Sequence, residues 1–103
     1  MLRPPTVRLE YYSWLAKELK GVGEEGTTVE VPLSGDRTVR ALLQDLAADS
    51  AKFRELVYDP AENRIKEYAT LIVNGRVVEL IGGLDARLNP GDELLLLPGF
   101  SGG

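Results

Sequence analysis

Residues 69–80 read A-T-L-I-V-N-G-R-V-V-E-L, and this stretch is the strongest local signal in the chain because it predicts a β-hairpin. Ala69–Val73 is a compact apolar run of the kind that forms strands. Asn74 and Gly75 supply the two positive φ angles of a type I′ turn, which matches the twist of paired strands. The stretch therefore predicts one strand that ends at Val73 and a second strand over residues 76–80.

A second informative stretch, L-N-P-G-D-E-L-L-L-L-P, occupies residues 88–98. Its N-P-G-D segment is typical of a turn, because proline and glycine preset the backbone angles that turns need. Residues 93–97 are almost wholly apolar, which predicts a central strand covered on both faces. Between the hairpin and this strand, Gly82 and Gly83 predict an irregular crossing with positive φ angles.

Upstream of these stretches the sequence predicts a second hairpin and a helix. Residues 6–14 and 27–33 alternate apolar and polar positions, so each predicts a half-buried strand. Residues 15–20 favour a short helical turn, and a glycine-rich reversal follows it. The helix is indicated by apolar residues at spacings of three and four, namely Val39, Leu42, Leu43, Leu46 and Ala47. Its N-cap is either Asp36 or Thr38.

The second half of the helical path is less regular. A further apolar set, which includes Phe53 and Val57, continues or restarts the helix before Asp59 and Pro60 end it. Residues 59–66 are polar and predict an exposed loop. The element order is thus ββαββ, with a short crossing before the fifth and last strand.

This order buries the apolar side of the helix only if the helix lies across one face of a mixed sheet. The first and last strands are then central and parallel. That arrangement is the β-grasp fold, so the sequence predicts an α+β domain with about five strands and one main helix over residues 1–98. Residues 99–103 are predicted to be a flexible tail that ends in Gly-Gly.

Composition limits the chemistry that the chain can perform. With 103 residues, 44% of them hydrophobic and 27% charged, the chain suits one globular domain. Cysteine and histidine are absent, so we expect no disulfide, no metal site, no bound cofactor and no catalytic role. The formal net charge of −4 argues against a nucleic-acid partner and favours a protein with a basic surface. No apolar run approaches the ~20 residues of a membrane span, and the first residues lack an apolar signal segment, so a cytoplasmic protein is expected.

The last two residues, Gly102 and Gly103, are the candidate functional group. Glycine has no Cβ, so the narrow channel of another protein can close around the extended chain. A terminal carboxylate reached in this way can be adenylated by ATP. The alternative is a frayed terminus or a remnant of expression. The position beyond a β-grasp strand favours the functional interpretation.

The N-G-R-V-V hairpin at residues 74–78, the run at residues 88–98 and the terminal G-G resemble the MoaD/ThiS sulfur-carrier family. The resemblance covers nearly the whole chain and implies a ubiquitin-like β-grasp carrier, not an enzyme. It also implies two partners. An E1-like activating enzyme uses ATP to adenylate the terminal glycine, a persulfide converts the glycine to a thiocarboxylate, and a synthase large subunit accepts the sulfur.

Carried onto this sequence, the resemblance implies that Gly103 bears the thiocarboxylate and that Gly102 and Ser101 thread into the partner. Phe100 is expected to bind the partner, although Phe100 and Ser101 stand where small aliphatic residues are frequent in the family. Three hairpin residues are also expected to contact the partner: Arg76, Val78 and Leu80.

The pathway that the resemblance implies first is the synthesis of molybdopterin, the molybdenum cofactor. Sulfur transfer to cysteine, thiamine or tRNA is an alternative, and so is a modifier that forms isopeptide bonds with lysines. Additional residues around positions 22–26 and 59–67 make the chain more similar to carriers for cysteine synthesis and to archaeal modifiers than to the shortest molybdopterin subunits.

Overall fold

The computed structural model describes residues 5–12, 27–33 and 36–99. In this part of the chain five strands form one mixed sheet in the order β2-β1-β7-β5-β6. They are β1 Thr6–Tyr11, β2 Thr27–Pro32, β5 Ala69–Val73, β6 Arg76–Val77 and β7 Glu93–Pro98. β1 and β7 are parallel, and the other pairs are antiparallel. The predicted β-grasp topology, with its first and last strands adjacent and parallel, is confirmed. The helical turn and glycine-rich reversal predicted between β1 and β2 lie outside the described residues.

The main helix α1 spans Val39–Asp49, and Thr38 is its N-cap residue. The Thr38 Oγ1 accepts a hydrogen bond from the Ala41 amide at 3.2 Å, which satisfies one of the free amides of the first turn. Asp36 accepts in turn from the Thr38 hydroxyl at 2.9 Å. These hydrogen bonds from the side chain and backbone of Thr38 lower the pKa of Asp36. Thr38 is therefore the cap, and Asp36 orients it.

The helical path restarts instead of continuing. A second helix, α2, spans Ala51–Leu56, and the Ser50 Oγ caps it by accepting from the Phe53 amide at 3.1 Å. Across the break, the Arg54 guanidinium donates to the Ala47 carbonyl oxygen. Both helices bury apolar side chains: Val39, Leu42, Leu43 and Ala47 on α1, and Phe53 on α2.

The prediction of an exposed loop over residues 59–66 is wrong in part. A two-stranded ribbon forms there from β3, Tyr58–Asp59, and β4, Arg64–Ile65. The cause is Tyr58, which is fully buried and donates its hydroxyl hydrogen to the Asn63 side-chain oxygen. The polar composition of the segment concealed this anchor.

The strand predicted over residues 76–80 is also shorter than expected. After Val77 the chain turns into a 3-10 helix, Val78–Leu80, and then into a second one, Gly83–Asp85. φ angles of 122° at Gly82 and 66° at Gly83 confirm the predicted crossing. Because the strand ends early, alternation of exposed and buried side chains stops at Val77.

The hydrophobic core lies between the inner face of the sheet and the two helices. The apolar positions predicted for the helix are buried in it, apart from Leu46, which is partly buried. The largest fully buried side chains are Tyr58, Phe53, Leu9, Leu43, Leu71, Leu88 and Leu96.

Asn74 joins two turns at one end of the sheet. Its φ of 50° and that of 85° at Gly75 confirm the type I′ turn. The Asn74 side-chain amide donates to the Asp92 carboxylate at 3.0 Å, and its oxygen accepts from the Glu93 amide at 2.9 Å. The hairpin turn and the turn before β7 are thus held together by one side chain.

We predict that Asn74→Ala lowers the free energy of unfolding by about 1 to 3 kcal/mol, because two hydrogen bonds are lost and alanine tolerates positive φ poorly. Asn89→Ala is the matched control, since Asn89 lies in the turn before β7, is exposed and uses only its backbone in the hydrogen bonds found there. Urea unfolding of the two variants compares them. Equal midpoints would show that the Asn74 bridge does not stabilise the fold.

Candidate functional site

The candidate site lies where the chain leaves the sheet. β7 lies between β1 and β5 and ends at Pro98. The Gly99 amide, predicted to belong to the tail, donates to the Tyr68 carbonyl oxygen at 2.6 Å. The ladder between β5 and β7 therefore extends one residue past the strand. Residues 100–103, which include the predicted functional residues of the tail, lie outside the described residues, so their roles stay predictions.

The outer face of β7 is apolar and half-buried. Leu94 and Leu96 point into the core and are 2% and 0% exposed, whereas Leu95 and Leu97 alternate with them on the opposite face. The prediction that this strand is covered on both faces is wrong for the described part of the chain. A continuous apolar run also arises when one face packs on the core and the other is a contact surface.

Leu95 and Leu97 belong to a larger apolar surface. Ile72 pairs with Leu95 across β5 and β7, and Val77 pairs with Ile72 across β5 and β6. We call Ile72, Val77, Leu95 and Leu97 the apolar strip. All four side chains are half-buried. The strip runs along the outer face of the sheet to the end from which residues 100–103 continue.

Carboxylates border the apolar strip on the same face. Glu10 pairs with Leu95, and Glu30 and Glu93 both lie opposite Arg8 in the register of the strands. Beside them the hydroxyl of Tyr12, which is 40% exposed, is hydrogen-bonded to the Glu10 carboxylate, and this raises the pKa of Tyr12. With three carboxylates and one guanidinium, this border favours a partner that brings basic groups.

The structure separates the three hairpin residues that were predicted to contact a partner. Val78 is 1% exposed, so its prediction as a contact residue is wrong: it packs in the core. Leu80 is 79% exposed but lies on the 3-10 turn beyond the sheet. Arg76 is exposed and pairs with Val73, whose side chain points to the inner face. The prediction missed the apolar strip, although the continuous apolar run at residues 94–97 was a signal for it.

Over residues 5–12, 27–33 and 36–99, no group of three or more Asp, Glu, Cys or His side chains is arranged to hold a metal ion. In the same ranges no helix is both long and apolar enough to span a membrane.

The sequence model of the ThiS family matches residues 15–103, which include both helices, four of the five strands of the main sheet and the diglycine. The chain belongs to the ThiS family. This confirms the resemblance to ubiquitin-like sulfur carriers, and members of the family are small carrier proteins, not catalysts. No curated protein matches the chain.

Solved structures of similar proteins agree with this assignment. SAMP1 of Haloferax volcanii is 26% identical, with a TM-score of 0.69 over 95% of this chain and 99% of that one. A chain of the BexX/CysO complex of Amycolatopsis orientalis is 27% identical, with a TM-score of 0.67 and coverages of 94% and 99%. A Pyrococcus furiosus protein, proposed to be molybdopterin converting factor subunit 1, is 26% identical, with a TM-score of 0.68 and coverages of 93% and 99%.

Proposed function

We propose that this chain is a sulfur carrier whose terminal glycine, Gly103, is adenylated by an E1-like activating enzyme and then converted to a thiocarboxylate. The observation that carries the proposal is the apolar strip, which leads along β7 to the start of the diglycine tail. A partner that docks on the strip is thereby placed beside the tail and reaches both at once.

The chemistry needs little from the carrier itself. A carboxylate oxygen of Gly103 attacks the α-phosphorus of ATP, and pyrophosphate leaves. The sulfur of a persulfide on a partner protein then attacks the acyl carbon, and AMP leaves. A thiol cleaves the sulfur–sulfur bond of the resulting acyl disulfide, which releases the thiocarboxylate and forms a disulfide between the two thiols. Glycine at position 103 leaves the acyl carbon unhindered, and the partner supplies acid and base catalysis.

We propose molybdopterin synthesis as the recipient of the sulfur, with a synthase large subunit as the accepting partner. The similarity to the Pyrococcus furiosus protein over 93% of this chain supports this pathway. The similarity to CysO favours cysteine synthesis as a second recipient. The similarity to SAMP1, a small archaeal modifier protein, favours a modifier that forms isopeptide bonds.

Intact-mass spectrometry of the protein from its native cells tests the carrier proposal. A carrier shows the mass change of one oxygen replaced by one sulfur at the C-terminus. A modifier instead shows heavier species with the terminal glycine joined to lysines of other proteins, and this result would overturn the proposal. Loss of molybdenum-enzyme activity in cells that lack the chain would support the molybdopterin pathway, and unchanged activity would contradict it.

Docking on the apolar strip makes a further prediction. Leu95→Ala is expected to weaken binding to the activating enzyme about thirtyfold, because truncation of an apolar contact at the centre of an interface costs about 2 kcal/mol. Thr28→Ala is the matched control, because Thr28 is exposed on β2 at the far edge of the same sheet and is not part of the strip. Isothermal titration calorimetry measures both variants. Parental affinity of the Leu95 variant would exclude the strip as the docking surface.

A further inference from the structure

Gly99 makes a backbone contact that leaves no room for a side chain. A Cβ built on Gly99 would lie 1.9 Å from the Glu67 carbonyl oxygen and 2.9 Å from the carbonyl carbons of Glu67 and Tyr68. Separations this short are far inside van der Waals contact. At the same place the Gly99 amide donates to the Tyr68 oxygen at 2.6 Å. Any other residue at position 99 must push the two backbones apart and weaken this hydrogen bond.

The backbone that Gly99 contacts is itself held in place. The Ala69 amide donates to the Lys66 oxygen at 3.2 Å, which closes the turn containing Glu67 and Tyr68. The Lys66 amide donates to the Val57 oxygen at 2.7 Å, and Val57 is 1% exposed in the core. The turn is thus attached to the core on one side and to β5 on the other. We call the contact of Gly99 with Glu67 and Tyr68 the exit clamp.

The exit clamp sets where the tail begins. Four residues follow Gly99 in the sequence. A chain of four residues spans at most about 14 Å when fully extended. The carboxylate of Gly103 therefore reaches only a small region around the clamp. Because the tail is this short, a shift of the backbone at Gly99 also shifts the Gly103 carboxylate, and a reacting group is sensitive to such a shift.

We propose that Gly99 is a positioning residue for adenylation: the exit clamp fixes the point and direction from which the last four residues leave the sheet, and so places the Gly103 carboxylate in the partner's active site. This inference rests on the proposed function. It concerns the orientation of the tail, whereas the strength of docking is assigned to the apolar strip.

The test measures the steady-state rate at which the activating enzyme adenylates the chain. Release of pyrophosphate is the signal. Gly99→Ala is expected to lower kcat about 10- to 100-fold, because displacement of a reacting group by about 1 Å has effects of this size. KM should change little, since the apolar strip is intact. Gly91→Ala is the control: Gly91 lies before the other end of β7, has φ of 89° and has open space around its Cβ position, so its substitution strains the backbone far from the exit clamp. Its kcat should equal that of the parent.

A second variant distinguishes an effect on the position of the Gly103 carboxylate from an effect on the stability of the fold. One extra glycine inserted directly after Gly99 keeps the exit clamp and lengthens the tail by about 3.5 Å. Its melting temperature should equal that of the parent, while kcat falls. Parental kcat in both this variant and Gly99→Ala would overturn the proposal.

Amide hydrogen exchange of the free protein tests, without any enzyme, whether the hydrogen bond of the exit clamp is formed. The Gly99 amide should be protected in the parent, and the amide at position 99 should lose that protection in Gly99→Ala. Exchange of the parental Gly99 amide at the rate of an unstructured chain would overturn the inference and leave the proposed function standing. If the Gly99 amide of the parent is protected but the enzyme does not adenylate the parent chain, the proposed function is overturned. The role of Gly99 in adenylation is then overturned as well.

Discussion

Deletion of Gly103 is expected to abolish adenylation of the chain while leaving its melting temperature unchanged. The last core residue of the described chain is Leu96, and Gly103 has no side chain, so its removal should take no buried apolar area from the core. The carboxylate that remains is displaced by about 3.5 Å along a short tail, which is too far for a reaction that requires atoms within about 3 to 3.5 Å.

The measurement is pyrophosphate release with the activating enzyme, together with thermal unfolding of the same samples. Thr28→Ala is the control, because Thr28 is exposed on β2 and its substitution leaves the tail unchanged. Adenylation of the deletion variant at the parental rate would remove the basis of the carrier proposal. A lower melting temperature of the deletion variant would show that the terminal residue contributes to the fold.

Leu96→Ala has the largest expected effect on stability, a loss of about 2 to 5 kcal/mol. Leu96 is 0% exposed on β7 and lies between Tyr11 of β1 and Leu71 of β5, both of which are buried. Its truncation leaves a cavity in the middle of the sheet. A loss of this size is a large fraction of the stability of a small domain, so urea unfolding at low temperature is the suitable measurement.

Leu95→Ala is the matched control for this core substitution, since the two leucines are neighbours in one strand and point to opposite faces. The Leu95 variant should lose much less stability and should instead lose affinity for the partner. Equal unfolding midpoints for the two variants would show that the two faces of β7 are wrongly assigned.

The sequence predicted those parts of the fold that depend on local chemistry. The positive φ angles of Asn74 and Gly75 follow from residue type, and the apolar spacing of α1 follows from helix geometry. The parallel pairing of β1 and β7 follows from element order, because few arrangements bury the helix. The sequence alone could not identify the N-cap, since Asp36 and Thr38 both suit the position.

Other parts of the fold could not be predicted, because one pattern is compatible with two structures. Alternation beyond Val77 predicted a longer strand, but Val78 enters the core through a 3-10 turn. Likewise, the apolar residues of β7 are consistent with burial on both faces or with an exposed contact surface. Only the position of the helices relative to the sheet distinguishes these cases.

The candidate site also combines a feature that was predicted from the sequence with features that only the structure reveals. The diglycine was predicted from sequence because the proposed chemistry depends on the absence of side chains, and this stays a prediction since Gly102 and Gly103 lie outside the described residues. The apolar strip combines residues from three strands, so it becomes visible only when their register is known. The exit clamp is harder still to predict, because Gly99 is constrained by Glu67 and Tyr68, which are brought to it by the pairing of β5 and β7.

The central position of β7 also has a mechanical consequence. A pull on the tail acts along the axis of β7, which is hydrogen-bonded to β1 on one edge and to β5 on the other. Because those bonds run nearly perpendicular to the strand, the load shears both ladders at once and does not open them one bond at a time. The sheet is therefore built to resist a pull on the tail, such as the proposed insertion into a partner's channel would apply.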